Sequence, residues 1–393
     1  MQEVVLTVNA GSSTLKIAIF TIHGKEIRDC LYRILLEVLD NKLLFHVNNG
    51  KNSYQVDTKP VEDDIMSLMI NSFESWWEGI KGDLNLLAIG HRIVHGGRVF
   101  TKPILVDQQV IEQLISLIPL DPLHLPYNLQ ALNLFQEKYN QQNHIVCFDT
   151  AFHTSQSRLA KSFALPKEFY EEGVYRYGFH GLSYQWITQN FRKLIGHELP
   201  KRTIIGHLGN GASMCAIYEG RSIATSMGFS VIEGLMMGTR CGSIDPGVIL
   251  YLLDNKKMSP KQIETLLYRQ SGLFGVSGES ADIRTLLSIN DPEAKFAIEL
   301  FIYRIQLEIG RLCAALQGLD SLVFTAGIGE NSAIIRHLII TGLEWLGITI
   351  DERKNQENQY CISREDSKVK IFIIPTNEEG VIAQDVIDVL HDK

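Results

Sequence analysis

Near the start, two apolar runs flank a small polar tip. Val4 to Val8 and Leu15 to Phe20 read as strands, and the residues between them, Asn9 to Thr14, read as a glycine turn. The pattern recurs about 200 residues later. There Thr203 to Leu208 is a β-rich run, Gly209-Asn210-Gly211-Ala212-Ser213 is the turn, and Met214 to Tyr218 is the return strand. Overlaying Gly11 on Gly209 sets Asn9 on His207 and Lys16 on Met214. Two such units predict a duplicated architecture with a cleft between the halves.

Elsewhere the period turns helical. Asp291-Pro292 opens a helix as N-cap and first residue, with Phe296, Phe301, Ile305, Ile309 and Leu312 on one face and Gly318 as the residue after its end. Ser259-Pro260 starts another, through Ile263, Leu266 and Leu267. Ser321 to Thr325 is a strand leading into a glycine turn and a further helix. Ile371 to Ile374 is a late strand, and Val381 to Leu390 a closing helix. Strands and helices alternate through the second half, which predicts an α/β fold. Residues 141–143 are a candidate crossing between the halves.

Length adds to this picture: 393 residues are too many for one ordinary core and point to two domains or more. A net charge of −8 leaves no overall electrostatic footprint for nucleic acid, so an anionic ligand must be held by few, local cations. No run of about 18 apolar residues predicts a membrane span. MQEVVLTVNA lacks the basic start of a signal peptide, and none of the six cysteines is spaced as CxxC. The expectation is a cytoplasmic protein with reduced thiols and no nucleic-acid or membrane partner.

Against that background several stretches carry chemistry. The tip NAGSSTLK offers small residues that let backbone amides approach an anion, hydroxyls, and Lys16. Taken alone, the tip is better explained as a solvated hairpin turn, and no GxxxxGK[ST] phosphate loop occurs in the chain. In GHRIVHGG, Arg92 follows an apolar run, where its planar fork suits a carboxylate or phosphate. His91 and His95 in the same stretch are spaced for a zinc pair only if helical, and Ile93-Val94 and the two glycines argue for strand and loop. Asp149, in CFDTAFH, ends another apolar run, at the strand end where open α/β sheets place functional groups. YRYGFHGLS frames His180, and GLMMGTRCGSIDPG sets Arg240 in a glycine-flanked loop. SGLFGVSGESADIR carries Asp282 and Arg284, FTAGIGENS a strand-to-helix glycine turn, and PTNEEG two acids, Glu378 and Glu379. Singly, each has a structural explanation. Together, glycine turns, three cations (Lys16, Arg92, Arg240) and acids able to hold Mg²⁺ are what phosphoryl transfer needs.

These ordered stretches resemble acetate kinases, within the superfamily of acetate and sugar kinases, heat-shock cognate ATPases and actin. VNAGSSTLK and HLGNGASMCAIYEG match the family's two signature segments. GHRIVHGG, FDTAFH, YRYGFHG, EGLMMGTR, SGLFGVSG and FTAGIGENS match as well, so the resemblance spans essentially the whole chain. It implies two duplicated actin-like (ribonuclease H-like) α/β domains around a hinged cleft. The first would be residues 1–148 plus a C-terminal helix over about 381–393; the second would be a nucleotide-binding domain over 149–380. It implies reversible transfer from ATP to acetate, with Mg²⁺ (or Mn²⁺) as the metal and a homodimer as the assembly.

By the same resemblance, Asn9 and Glu378 hold the metal, and Asp149, His180 and Arg240 are catalytic. Arg92 holds the acyl carboxylate, Val94, Leu123 and Phe179 line the acyl pocket, and His124 lies near it. Ser12, Lys16, His207, Leu208, Gly209, Asn210 and Gly211 line the phosphate path. Asp282, Ile283 and Arg284, with Gly327, Ile328, Gly329, Glu330 and Asn331, hold the adenosine.

Four departures from the family pattern stand out. Thr14 replaces the third serine of the tip and keeps a hydroxyl. Cys241-Gly242-Ser243 follows Arg240 where Ser-Gly-Asp is usual, so one carboxylate is lost. Leu182-Ser183-Tyr184 stands for Thr-Ser-His. Val231 occupies the place of an acyl-pocket proline, which leaves propionate or another short-chain carboxylate as the alternative acceptor. A nucleotide-dependent switch like other members of the superfamily is the alternative of a different class, although a switch has no need of an acid pocket.

Overall fold

The computed structural model describes residues 1–60 and 64–392. Residues 61–63 and 393, which belong to the expected first domain and its closing segment, lie outside the described residues. The chain forms two compact units, Met1–Ala151 with Asn377–Lys393, and Phe152–Thr376. The chain leaves the first unit after Ala151, not near residues 141–143, because Asn143 already begins a strand of the first unit's sheet.

The first unit carries an eight-stranded sheet. Its strands are β1 (Gln2–Ala10), β2 (Thr14–His23), β3 (Glu26–Leu39), β4 (Lys42–Asn48), β5 (Ser53–Pro60), β6 (Leu84–Ile93), β7 (Ile104–Leu105) and β8 (Asn143–Phe148). Their order is β5-β4-β3-β2-β1-β6-β8-β7. Strands β1, β6 and β8 run parallel, so their carboxyl ends lie side by side. One face packs on the helix Ile65–Ile80 through Met69, Ile70 and Phe73, all fully buried. The helix Glu378–His391 covers β1, β2, β6 and β8. Gly90 permits that approach, since a Cβ there would lie 2.5 Å from Ile382 Cγ2. This helix starts at Glu378 rather than Val381, because the Asn377 side chain caps it by accepting from the Gly380 N–H.

The second unit holds β9 (Arg202–Leu208), β10 (Ala212–Tyr218), β11 (Arg221–Thr225), β12 (Ser321–Thr325) and β13 (Lys370–Ile373), in the order β11-β10-β9-β12-β13. The same arrangement is nested in the first unit as β3-β2-β1-β6-β8. In each, a first strand pairs antiparallel with the next and parallel with a later one. The duplication read from the two glycine turns is therefore present in the topology. The overlay of individual residues needs correction. Asn9 pairs with Lys16, but His207 pairs with Ser213. The first turn is one residue longer, so Ser213, not Met214, stands where Lys16 does.

The helix Pro292–Leu316 is capped by Asp291 and buries Phe301, Ile305, Ile309 and Leu312. Phe296 instead faces solvent at 52% exposure, and the left-handed residue after the helix is Gln317 (φ 56°), with Gly318 following it. The helix Pro260–Arg269 begins with a full capping box between Ser259 and Gln262. All six cysteines are free thiols. Among the described residues no helix is long and apolar enough to cross a membrane.

Candidate functional site

In the first unit the carboxyl ends of the three parallel strands gather the expected polar groups. Asn9 comes from the end of β1, Arg92 from β6 and Asp149 from the residue after β8. Arg92 Nε donates to Asp149 Oδ1 at 2.9 Å and Nη2 donates to Asp149 Oδ2, while Nη1 donates to Asn9 Oδ1 at 3.0 Å. A guanidinium has five N–H groups, so these bonds leave one on each terminal nitrogen, the pair that grips a carboxylate in two-point fashion. Burial pushes the Arg92 guanidinium down, but Asp149 beside it, with Glu378 and Glu379, holds it above its ordinary value.

Glu378 opens the closing helix. Burial pushes its carboxyl up to about 7; Arg92 and Lys16 oppose that shift, and Asp149 and Glu379 add to it. This is a carboxylate short of positive charge, and Asn9, at the end of β1 in the same unit, has an amide oxygen that still has a lone pair. Hard oxygen donors of this kind suit Mg²⁺, which takes one or two carboxylates and leaves other positions to substrate phosphates and water. Asn9 and Glu378 are oxygen donors of that kind, and among the described residues no group of three or more His, Cys, Asp or Glu is placed to hold a metal ion by itself.

Around this centre, Val94 is buried, and its N–H donates to Asn128 Oδ1 at 3.0 Å. Asn128 Nδ2 donates in turn to the Ala10 carbonyl at 2.7 Å, tying the β6 end to the β1 end. Leu123 and His124 are half-buried, and His124 Nδ1 lies 2.9 Å from Asp121 Oδ1. Ser12 is exposed at the β1–β2 tip. Lys16 lines a cavity of about 350 Å³ with Arg33, His46 and Glu379. His91 and His95 engage separate partners. His91 Nε2 lies 3.0 Å from His144 Nδ1, and His95 Nδ1 accepts from the Gly97 N–H at 2.9 Å.

In the second unit, His180 sits in the left-handed region (φ 58°) just before the helix Gly181–Ile195. Its ring stacks on His207, at the end of β9, with centroids 4.1 Å apart. A Cβ on Gly211 would lie 3.5 Å from His180 Nε2 and 3.8 Å from Arg240 Nη1. Both side chains thus face the glycine turn. Arg240 Nη1 also donates to the Val231 carbonyl at 3.2 Å. Gly272 (φ 64°) lets the backbone pass close to it, since a Cβ there would lie 2.8 Å from the Arg240 carbonyl. Phe179 is buried, and its carbonyl faces His153 Nε2 at 2.9 Å.

Beside this turn lies a cavity of about 500 Å³, a volume suited to a nucleoside. Its walls include Gly209, Asn210, Asp282, Ile283 and Arg284. Gly327, Ile328 and Asn331 complete the expected part of its lining, and Ala281 and Ser332 add to it. Asp282 takes Arg284 Nη2 at 2.6 Å, and that hydrogen bond holds its carboxyl below the usual range. Three of the expected nucleotide residues are turned inward. The Leu208 side chain is buried, and Gly329 is packed against Phe324. Glu330 Oε1 accepts from the Ala326 N–H (2.7 Å), the Thr376 N–H (3.0 Å) and Thr325 Oγ1 (3.2 Å). Glu330 therefore braces the strand-to-helix turn, where Ala326 has φ 63°.

Sequence reasoning missed Asn128, in the first turn of the helix Leu125–Lys138 and without a local signal, and passed over Ser213 at the end of the second glycine turn. Ser213 Oγ lies 2.8 Å from His180 Nδ1.

The comparisons with known proteins agree across the whole chain. The model of the acetokinase family matches residues 4–384. An acetate kinase of Rickettsia akari (strain Hartford) is 55% identical over 390 residues, covering 99% of this chain and 100% of that one. An acetate kinase of Rhodopseudomonas palustris (strain TIE-1) is 46% identical over 394 residues, covering 98% of each. Among solved structures, a propionate kinase of Francisella tularensis subsp. tularensis superposes with a TM-score of 0.88 at 33% identity, covering 98% of both chains. Porphyromonas gingivalis acetate kinase superposes with a TM-score of 0.87 at 32% identity, covering 99% of this chain and 100% of that one.

Proposed function

The chain belongs to the acetokinase family, phosphotransferases with a carboxyl acceptor, and on that premise we propose that it moves a phosphoryl group reversibly between ATP and acetate, giving acetyl phosphate and ADP. The observation that carries the acceptor half is the Arg92 guanidinium, pinned by Asp149 and Asn9 with two N–H groups left for a carboxylate.

The transition state of phosphoryl transfer is loose, with charge on the equatorial oxygens, so catalysis consists of positioning and charge neutralisation. Arg92 orients the acetate and offsets its repulsion from the triphosphate, a role that needs the planar fork. Asp149 keeps that fork in one orientation and polarises the acceptor side. His180 and Arg240, both facing the glycine turn, donate to the oxygens of the transferring group. Lys16, Ser12 and the Gly209–Gly211 amides neutralise and seat the phosphates. The cavity beside Asp282 and Gly327 takes the adenosine. Asn9 and Glu378 would hold Mg²⁺, which supplies Lewis-acid neutralisation of phosphate oxygens when bound. In this reading the first unit is the acceptor half and the second the nucleotide half. The enzyme works in the cytoplasm as a homodimer, which fractionation and light scattering test.

Trapping acetyl phosphate with hydroxylamine tests the reaction itself: ATP, acetate and Mg²⁺ together yield the hydroxamate, and no product under those conditions overturns the proposal. A longer acceptor is the alternative, because Val231 stands where the resemblance puts an acyl-pocket proline, and kcat/KM across two- to four-carbon acids decides it. One methylene in an apolar pocket discriminates by only about 1–3 kcal/mol.

A further inference from the structure

We infer that Ser213 and Tyr184 are positioning residues for His180, forming a hydroxyl relay that places the ring proton on Nε2. The inference rests on the reading of His180 as a donor to the transferring phosphoryl group. It deepens that reading by naming what sets the donor.

Ser213 Oγ is 2.8 Å from His180 Nδ1 and 2.5 Å from the Tyr184 hydroxyl. Ser213 and Tyr184 are fully buried, so each hydroxyl must find its partners within the fold. Tyr184 lies one turn into the helix that His180 precedes, and its backbone N–H donates to the His180 carbonyl at 3.2 Å. Ser213 projects from β10, paired across from His207. The strand and the helix therefore bring two hydroxyls and one imidazole nitrogen into a row.

Their acidities give the row a direction. A phenol, with a pKa near 10, is a far stronger acid than an aliphatic hydroxyl and is the better donor in a short contact. Tyr184 therefore donates to Ser213 Oγ. Serine has one hydrogen, and it goes on to Nδ1. With Nδ1 accepting, a neutral imidazole carries its proton on Nε2. That nitrogen faces the Gly211 turn, beside Arg240.

The neighbouring ring is set the other way. Ser183 Oγ donates to Thr376 Oγ1 at 2.9 Å, so its contact with His207 Nδ1, also 2.9 Å, is one in which the imidazole N–H donates. The stacked rings thus hold opposite tautomers.

The test uses the full-length enzyme with ¹⁵N-labelled histidine, read by ¹⁵N–¹H correlation at pH 8, with His180→Ala to assign the signal. The wild type shows His180 as a single Nε2–H form. Ser213→Ala produces a mixture with the Nδ1–H form, Tyr184→Phe does so in part, and Ser213→Thr restores the wild-type pattern. In the same series kcat falls about tenfold in Ser213→Ala, with KM for ATP and acetate within about twofold, and the acid limb of the kcat–pH profile shifts. An unchanged tautomer in both Ser213→Ala and Tyr184→Phe overturns the relay, as does an equal loss in Ser213→Ala and Ser213→Thr with an unmoved pH profile. Should Ser213→Ala fail to fold, Tyr184→Phe, which removes one oxygen, gives the answer alone. His180→Ala retaining full turnover would instead refute the role of His180 and leave the tautomer result standing, so the two failures are told apart.

Discussion

Arg92 and Asp149 meet fork to carboxylate at the ends of two neighbouring parallel strands, with Nε on Oδ1 at 2.9 Å and Nη2 on Oδ2. Asp149 is 1% exposed, so its charge is answered from within the fold. Removing one partner of such a pair typically costs about 3–5 kcal/mol, which makes Arg92→Ala a poor probe of function. Arg92→Lys keeps the charge but cannot engage both carboxylate oxygens and a substrate carboxylate together. We expect the KM for acetate to rise about tenfold or more while the KM for ATP stays within about threefold. Steady-state kinetics varying each substrate in turn check this, and an unchanged acetate KM would remove Arg92 from acceptor binding.

Asp149→Asn alters the same pair from the other side. The amide keeps one acceptor for Nε but sets an NH₂ against Nη2–H, so the guanidinium loses its fixed orientation. Turnover should fall by about 10²–10³, the usual effect of a misplaced electrostatic group, with little change in ATP affinity. Single-turnover measurement of acetyl phosphate, with ADP binding measured in parallel, separates the two quantities. An unchanged kcat would take Asp149 out of the mechanism.

What was legible in the sequence was mostly local. The hairpins at Gly11 and Gly209 declared themselves by apolar runs broken at small residues, and the N-caps at Asp291 and Ser259 by side chains that hydrogen-bond the next turn. Register was not legible: one extra residue in the first turn moves the partner of Lys16 from Met214 to Ser213, and nothing in either sequence reveals it. Nor was direction. Glu330 sits in a stretch that matches a nucleotide turn, yet its carboxylate points back to the Ala326 and Thr376 N–H groups, because the left-handed Ala326 leaves a backbone donor to be satisfied. Asn128 was invisible for the same kind of reason: its two bonds, to Val94 and Ala10, are made with residues 34 and 118 positions away.

Acid should weaken the fold through its buried imidazoles. His95 and His153 are fully buried, and burial pushes each down to about 4. Unfolded, each titrates near 6.5, so between about pH 4 and 6.5 the unfolded chain binds more protons. Their contribution is complete above about pH 6.5 and is lost as the pH falls towards 4, at most roughly 3 kcal/mol for each. His153 Nε2 donates to the Phe179 carbonyl and Nδ1 lies 2.9 Å from Ser222 Oγ, so a second ring proton would put a charge in a buried site with only neutral partners at those two nitrogens. Urea titrations at pH 7, 6 and 5 should show a falling midpoint. His153→Gln should start lower at pH 7 and fall less steeply, and parallel slopes for the two proteins would contradict this.

Arg336 ties the nucleotide turn to the rest of its unit without a carboxylate. It is fully buried, and its Nη1 donates to the Gly329 carbonyl at 2.9 Å and the Glu330 carbonyl at 3.0 Å. Nε and Nη2 donate to Asn355 Oδ1 at 2.8 Å, the Asn355 carbonyl at 2.9 Å and Asn358 Oδ1 at 2.6 Å. Burial with only neutral oxygens for partners lowers its pKa to about 10, which still leaves it charged at neutral pH. Arg336→Met fills much of the same volume and strands several buried acceptors, each costing about 1–3 kcal/mol. We expect the unfolding temperature to drop by about 5 °C or more. We also expect a Kd for ADP raised about tenfold, because Gly327, Ile328 and Asn331, which line the nucleoside cavity, sit on the turn that Arg336 holds. Calorimetry of the apo protein and ADP titration at a temperature where the variant is fully folded measure the two effects separately. Lower stability with unaltered ADP affinity would show that Glu330 and its contacts suffice to shape the turn, and that Arg336 only supports the core beneath it.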